Sequence, residues 1–281
     1  MAFSLSRLVP MRFRRDGHIV PVIRLSGAIG IGVGPLRSGL SLASAEGALA
    51  RAFSYKAAPA VAILVNSPGG AAVQSHLIHK RIRALADETK KHVVVAVEDV
   101  AASGGYMIAL AGDEIVVDAS SIVGSIGVVS GGFGFPRMLE RIGVERRVHT
   151  AGKSKAMLDP FLPEKEDDVA RLTALQDEVH AMFIDLVKTR RADKLVDDPD
   201  LFSGAYWSGA KAVSLGLADR VGDLRSVMRE RYGDQVRFRA IPTERSAWRR
   251  RLGLGGPDAA GLLDRLVEIV EERLLWSRFG L

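Results

Sequence analysis

The chain has 281 residues, 47% hydrophobic and 26% charged, with 39 Lys and Arg against 33 Asp and Glu for a formal charge of +6. That length and balance suit one large folded domain, with or without extensions, and exclude disorder throughout. The absence of cysteine excludes disulfide scaffolds, thiolate metal sites, Fe–S clusters and a cysteine nucleophile.

In chain order, residues 1–15 read as a basic arm in which Phe3, Leu5, Leu8, Val9, Met11 and Phe13 are interleaved with Arg7, Arg12, Arg14 and Arg15. No uninterrupted apolar core marks it as a secretory signal peptide. HIVPVIRL from His18 predicts a strand, and AVAILVN from Ala60 to Asn66 a buried one. A helix follows through Val73 to Ala86, with Leu77, Ile78 and Ile82 on one face. HVVVAVE from His92 is a third strand, SGGYMIALAG a short helix and DEIVVD a fourth strand. This alternation predicts parallel pairing with helices on both faces of the sheet.

The uncharged run from Ala119 to Pro136 reaches the lower bound for a membrane span. Its five glycines, four serines and closing proline make it a strand-and-loop segment instead. A long helix is predicted from about Glu164 to Arg191, with Leu172, Leu175, Val179, Phe183, Leu186 and Val187 as its stripe. The domain extends over residues 16–239, and residues 240–281 form an amphipathic helical tail carrying Leu263, Leu266, Val267, Val270, Leu274 and Leu275. Basic and amphipathic ends of this kind suit an anionic membrane surface or a partner subunit.

Three short segments carry chemistry. Asn66-Ser67-Pro68-Gly69-Gly70 joins a strand to a helix, where glycines turn backbone N–H groups toward a ligand or simply make the turn. Ala101-Ala102-Ser103-Gly104-Gly105 does the same. Ser103 there either presents its hydroxyl to a substrate, with neighbouring N–H groups for an oxyanion, or caps the helix. Gly152-Lys153-Ser154-Lys155 offers lysines that serve as a base only if their surroundings favour the neutral amine. His76 and His79 are three apart, but no third ligand completes a metal site, and neither a P-loop nor a GxSxG elbow is present.

Taken together these segments resemble the signal peptide peptidase A family, peptidase family S49, within the ClpP/crotonase superfamily. The resemblance runs from about Ile19 to Leu224. It rests on NSPGG at Asn66, EDVAASGGYMIALAGDEIVVD around Ser103, VGSIGVV at Val123, AGKSKAMLDP, and YWSGAKAVSLGLADRVG. It implies an α/β fold of repeated ββα units with a parallel sheet and flanking helices. It also implies a serine endopeptidase with a Ser-Lys dyad and no cofactor or metal, cleaving signal-peptide remnants or other unfolded hydrophobic peptides. By motif position Ser103 matches the nucleophile, Lys155 the base and Ser125 the serine that orients the amine, whereas Lys153 falls out of register. Gly69, Gly70 and Gly104 match the oxyanion region, and Gly124, Ile126 and Gly127 one wall of the substrate groove.

Small residues around Ser103 lead to an expectation of small apolar side chains in the substrate. The short form of the family implies a ring-like homo-oligomer in which Lys155 reaches Ser103 of an adjacent subunit. Many bacterial relatives begin with a membrane anchor, and none is visible here. The expected location is therefore the cytoplasm or a peripheral position on the inner membrane, with no nucleic-acid partner. Two other functions share the fold. An acyl-CoA enzyme of the crotonase type needs neither Ser103 nor Lys155, and a scaffold binding membrane proteins has no use for Ser103, Ser125 and Lys155 as a set.

Overall fold

The computed structural model describes residues 17–30, 39–243 and 273–281. The predicted basic arm and residues 244–272 of the predicted tail lie outside the described residues.

Strands β1 (Ile19–Ser26), β2 (Ala60–Ser67) and β3 (His92–Ala102) make the centre of an eight-stranded sheet. The last two are nearly unbroken runs of Val, Ile and Ala, the composition of strands covered on both faces. Around them lie β4 (Glu114–Val117), β5 (Ile122–Gly124), β6 (Tyr206–Ser208), β7 (Arg220–Val221) and β8 (Arg237–Ile241). The main order is β6-β5-β3-β2-β1-β8, with β4 between β3 and β7. Every pairing is parallel except β5 with β6.

Helices α1 (Leu42–Phe53), α2 (Ala72–Thr89), α3 (Gly104–Ala109) and α6 (Gly209–Ser214) join the main core. The end of α5 (Glu166–Arg191) does so too, through Phe183 and Val187. On the opposite face α7 (Leu224–Tyr232) sets Val227 and Met228 against Val94 and Val116. The predicted stripe of the long helix is buried only at its end. Leu175 is 57% exposed, and the first half of α5 projects with α4 (Pro136–Arg141) and its flanking loops.

One irregularity shapes the site. Val65 pairs with Val97, but Ser67 pairs with Ala101, so β3 carries two more residues than β2 over this stretch. The Asn66 carboxamide fills the gap. Its Oδ1 accepts from the Val100 N–H at 3.2 Å, and its Nδ2 donates to Asp99 at 2.6 Å. Below the offset β3 pairs with β4 and above it with β5.

Two buried polar groups lock the helices, one to the sheet and one to a neighbouring helix. Arg191, 2% exposed, donates to the Gly216 carbonyl and to both carboxylate oxygens of Asp219, which also accepts from Lys194 and the Ile115 N–H. Burial alone would raise the Asp219 carboxyl, but the hydrogen bonds from Arg191 and Lys194 outweigh it and hold its pKa below the ordinary value. His79 on α2 donates from Nδ1 to the Met107 carbonyl on α3 at 3.1 Å. Desolvation lowers that ring from 6.5 to about 4.

Arg191→Ala leaves Asp219 and the Gly216 carbonyl short of partners, and chemical denaturation should show a loss of about 3–5 kcal/mol. His79 has a folded pKa below its unfolded one, so its contribution is full above pH 6.5 and is lost as the pH falls through about 4. Stability measured across that window should decline less steeply in His79→Asn than in the parent chain.

Candidate active site

β3 ends where Ser103 leaves the sheet and α3 begins. Ser103 holds φ 52° and ψ −121°, a conformation that costs a non-glycine residue on the order of 1–3 kcal/mol. Its N–H donates to the Gly124 carbonyl at 2.8 Å, and its carbonyl accepts from the Met107 N–H. The hydroxyl makes no capping bond to the helix. Of the two roles open to this serine in the sequence, the cap is not the one it takes. Ser103 instead sits at a strained strand-to-helix turn and is partly exposed.

Ala102 pairs with Gly124 across β3 and β5, so the residues that follow each, Ser103 and Ser125, are neighbours at the ends of adjacent strands. Ser125 also has positive φ, 53°, and its N–H donates to the Ala205 carbonyl at 2.6 Å. A Cβ on Gly124 would strike the Trp207 ring at 2.8 Å, so only glycine lets β6 close over this strand. Ile126 is fully buried, its carbonyl accepting from His180 Nε2 at 3.1 Å, and Gly127 passes against Gly204.

The NSPGG turn packs against the other side of Ser103. A Cβ on Gly69 would lie 2.8 Å from the Ser103 Cβ and 3.0 Å from the Gly104 N. The Gly69 N–H is already given to Ser67 Oγ at 3.2 Å, and Ser67 Oγ donates to the Gly27 carbonyl. Among the described residues the N–H groups of Gly70 and Gly104 have no acceptor; Gly104 directly follows Ser103, and Gly70 closes the NSPGG turn against Ile29. α3 is fixed behind them by Tyr106, whose hydroxyl donates to the Leu217 carbonyl at 2.8 Å; burial raises that phenol's pKa.

Lys155 stands apart. It is exposed on the turn-rich segment after α4, its N–H donates to the Gly152 carbonyl, and its ammonium has no partner among the described residues. Within one chain no hydrogen bond joins Lys155 to Ser103 or Ser125. Lys153 is exposed on the same turn. Sequence reasoning passed over three residues that hold the site: Ser67, the carboxamide of Asn66 and His180. The first two sat in a motif read for its glycines, and their partners lie tens of residues away, where spacing gives no signal.

Among the described residues no helix is long and apolar enough to cross a membrane, and no group of His, Asp and Glu has metal-site geometry. The end of the described chain reaches β6, where the Tyr206 hydroxyl donates to the Arg278 carbonyl and the Tyr206 and Phe279 rings meet edge-on at 5.1 Å.

Comparison with known proteins is consistent with this geometry. The model of peptidase family S49 matches residues 86–234. A protein of Brucella abortus named Na(+)/H(+) antiporter NhaA is 58% identical over 286 residues, covering 99% of this chain but only 39% of that protein. A putative protease of Synechocystis sp. is 31% identical over 79% of this chain and 81% of its own length. A structure of the 1510-N membrane-bound stomatin-specific protease, a lysine-to-alanine mutant in complex with a substrate peptide, superposes with a TM-score of 0.50. It has 16% identity and covers 90% of this chain and 98% of that one, which shows the fold. The chain belongs to peptidase family S49, a family of serine-type peptidases.

Proposed function

We propose that this chain is a serine endopeptidase that hydrolyses unfolded hydrophobic peptides, signal-peptide remnants among them, with Ser103 as nucleophile and Lys155 as general base. The observation that carries the reading is the strained turn at Ser103, whose hydroxyl makes no capping bond, with the unpaired Gly104 N–H directly after it and Ser125 at the end of the neighbouring strand. A turn held at this cost needs a use for the hydroxyl it raises.

The chemistry follows from these parts. A neutral Lys155 amine, oriented by Ser125, takes the proton from Ser103 as the hydroxyl attacks the peptide carbonyl carbon. The resulting oxyanion lies between the N–H groups of Gly104 and of the NSPGG turn. Within that turn Gly70 is the available donor, because Gly69 has spent its own on Ser67. Collapse breaks the C–N bond, with the lysine proton passing to the leaving amine, and water then releases the acyl group from Ser103. Residues 124–127 form one wall of the groove. Glycines and alanines around Ser103 leave room for small apolar side chains beside the scissile bond.

The base comes from a neighbouring subunit of a ring-like homo-oligomer. Lys155 lies on a segment that one chain leaves open, with Val129 73%, Phe133 80% and Ile142 62% exposed. So much apolar surface on one projection suits a second copy of the chain. A peripheral membrane contact through the basic and amphipathic ends fits the sequence, and those ends fall mostly outside the described residues. The antiporter name belongs to a protein of which this chain matches 39%, and no described helix supplies a span for such a role.

Cleavage of an unfolded protein and of a signal-like peptide should vanish in both Ser103→Ala and Lys155→Ala, with assembly intact. Mixed oligomers of the two inactive variants should regain part of the activity, since some sites then pair an intact serine with an intact lysine. Full activity in Ser103→Ala would overturn the assignment. Separately, Ser103→Gly should be more stable than Ser103→Ala by about 1 kcal/mol in thermal denaturation, as glycine relieves the positive φ.

A further inference from the structure

Residues 124–126 are each held by a different element. Ser103 N–H binds the Gly124 carbonyl, the Ala205 carbonyl binds the Ser125 N–H, and His180 on α5 binds the Ile126 carbonyl. Just beyond, at Val128 and Val129, the chain becomes exposed. His180 is thus the last clamp before the wall strand leaves the body.

On the helix side the position is equally marked. α5 is anchored at its end by Phe183, Val187 and Arg191, while Val169 and Leu175 on its first half are exposed. His180 lies one turn before Phe183, at the junction between the anchored and projecting halves. A carbonyl acceptor requires a hydrogen on Nε2, so the ring donates to the Ile126 carbonyl.

We propose that His180 is a positioning residue. Its Nε2–H fixes the Ile126 carbonyl, and with it the register of the wall strand, so that peptide affinity depends on the long helix that projects from the body. This rests on the reading of residues 124–127 as the substrate wall. The same hydrogen bond gives the projecting half of α5 a direct hold on the strand beside the nucleophile. A neighbour seated on that half would therefore stiffen the wall as well as deliver its lysine.

The test compares His180→Leu, which keeps bulk and loses the donor, with His180→Gln, whose amide N–H₂ can take the place of Nε2. Each is made in the active chain and in the Ser103→Ala chain, with oligomeric state checked by size exclusion. Amide hydrogen exchange over residues 124–128 should be about tenfold faster in His180→Leu, the scale of one lost hydrogen bond, and close to the parent rate in His180→Gln. In the Ser103→Ala background, binding of a fluorescent signal-like peptide should weaken about tenfold in His180→Leu and recover in His180→Gln. In the active chain the loss should fall on KM, with kcat within about threefold.

Unchanged exchange in His180→Leu, or a His180→Gln no better than His180→Leu, overturns the inference. So does a loss confined to kcat. Faster exchange with no peptide bound by any variant would instead sink the peptidase reading, and the claim about affinity with it.

Discussion

The two-residue offset between β2 and β3, held open by the Asn66 carboxamide, is the constraint on which the rest of this structure depends. A parallel strand normally serves one neighbour on each edge. The offset lets β3 serve β4 with its first half and β5 with its second, on the same edge. That brings Ser103 and Ser125 to the ends of adjacent strands, with the NSPGG turn up against Ser103. Buried N–H groups left unpaired are costly, so an irregularity of this size persists only with a side chain to satisfy it. Asn66 supplies an acceptor and a donor from one group, which few residues can do.

The glycines around Ser103 follow from the same crowding. Positions 69, 70, 104 and 105 all lie where a Cβ would overlap backbone or a buried serine. Space rather than backbone freedom dictates Gly104 and Gly105, whose φ values are ordinary, whereas Gly69 and Gly70 are constrained on both counts. The outcome is a turn around Ser103 made largely of main chain, its N–H groups placed by the fold.

Much of this was legible in the sequence. Apolar, β-branched runs located β2 and β3, and glycine-rich joints marked the turns at Gly69 and Ser103. The serine-and-glycine content of residues 119–136 correctly turned that segment away from a membrane span, since only Ile122–Gly124 is regular. Other features were not legible. β8 reads RFRAI, with exposed arginines alternating along a sheet edge, and its pairing with β1 spans most of the chain. α1 is a short alanine-rich helix whose burial depends on packing against α2. The apolar residues in the first half of α5 have the period of a core helix, yet the core ends at Phe183. Periodicity reports that a face is apolar, not which surface covers it.

The braces of the site are drawn from its far side in sequence. Tyr106 is held by the carbonyl of Leu217, β5 by β6 at residues 206–208, and β4 by β7 and Asp219. A ribosome delivers the chain from its N-terminus, so β2, β3 and the NSPGG turn emerge about a hundred residues before those braces exist. Until then the Ser103 turn has no β6 behind its neighbour and no anchor for Tyr106, and its strained geometry rests on Gly124, Met107 and the NSPGG turn alone. Closing loops of that length is slow relative to local helix formation. The Ser103 turn therefore gains its last braces late, after most of the domain has left the exit tunnel.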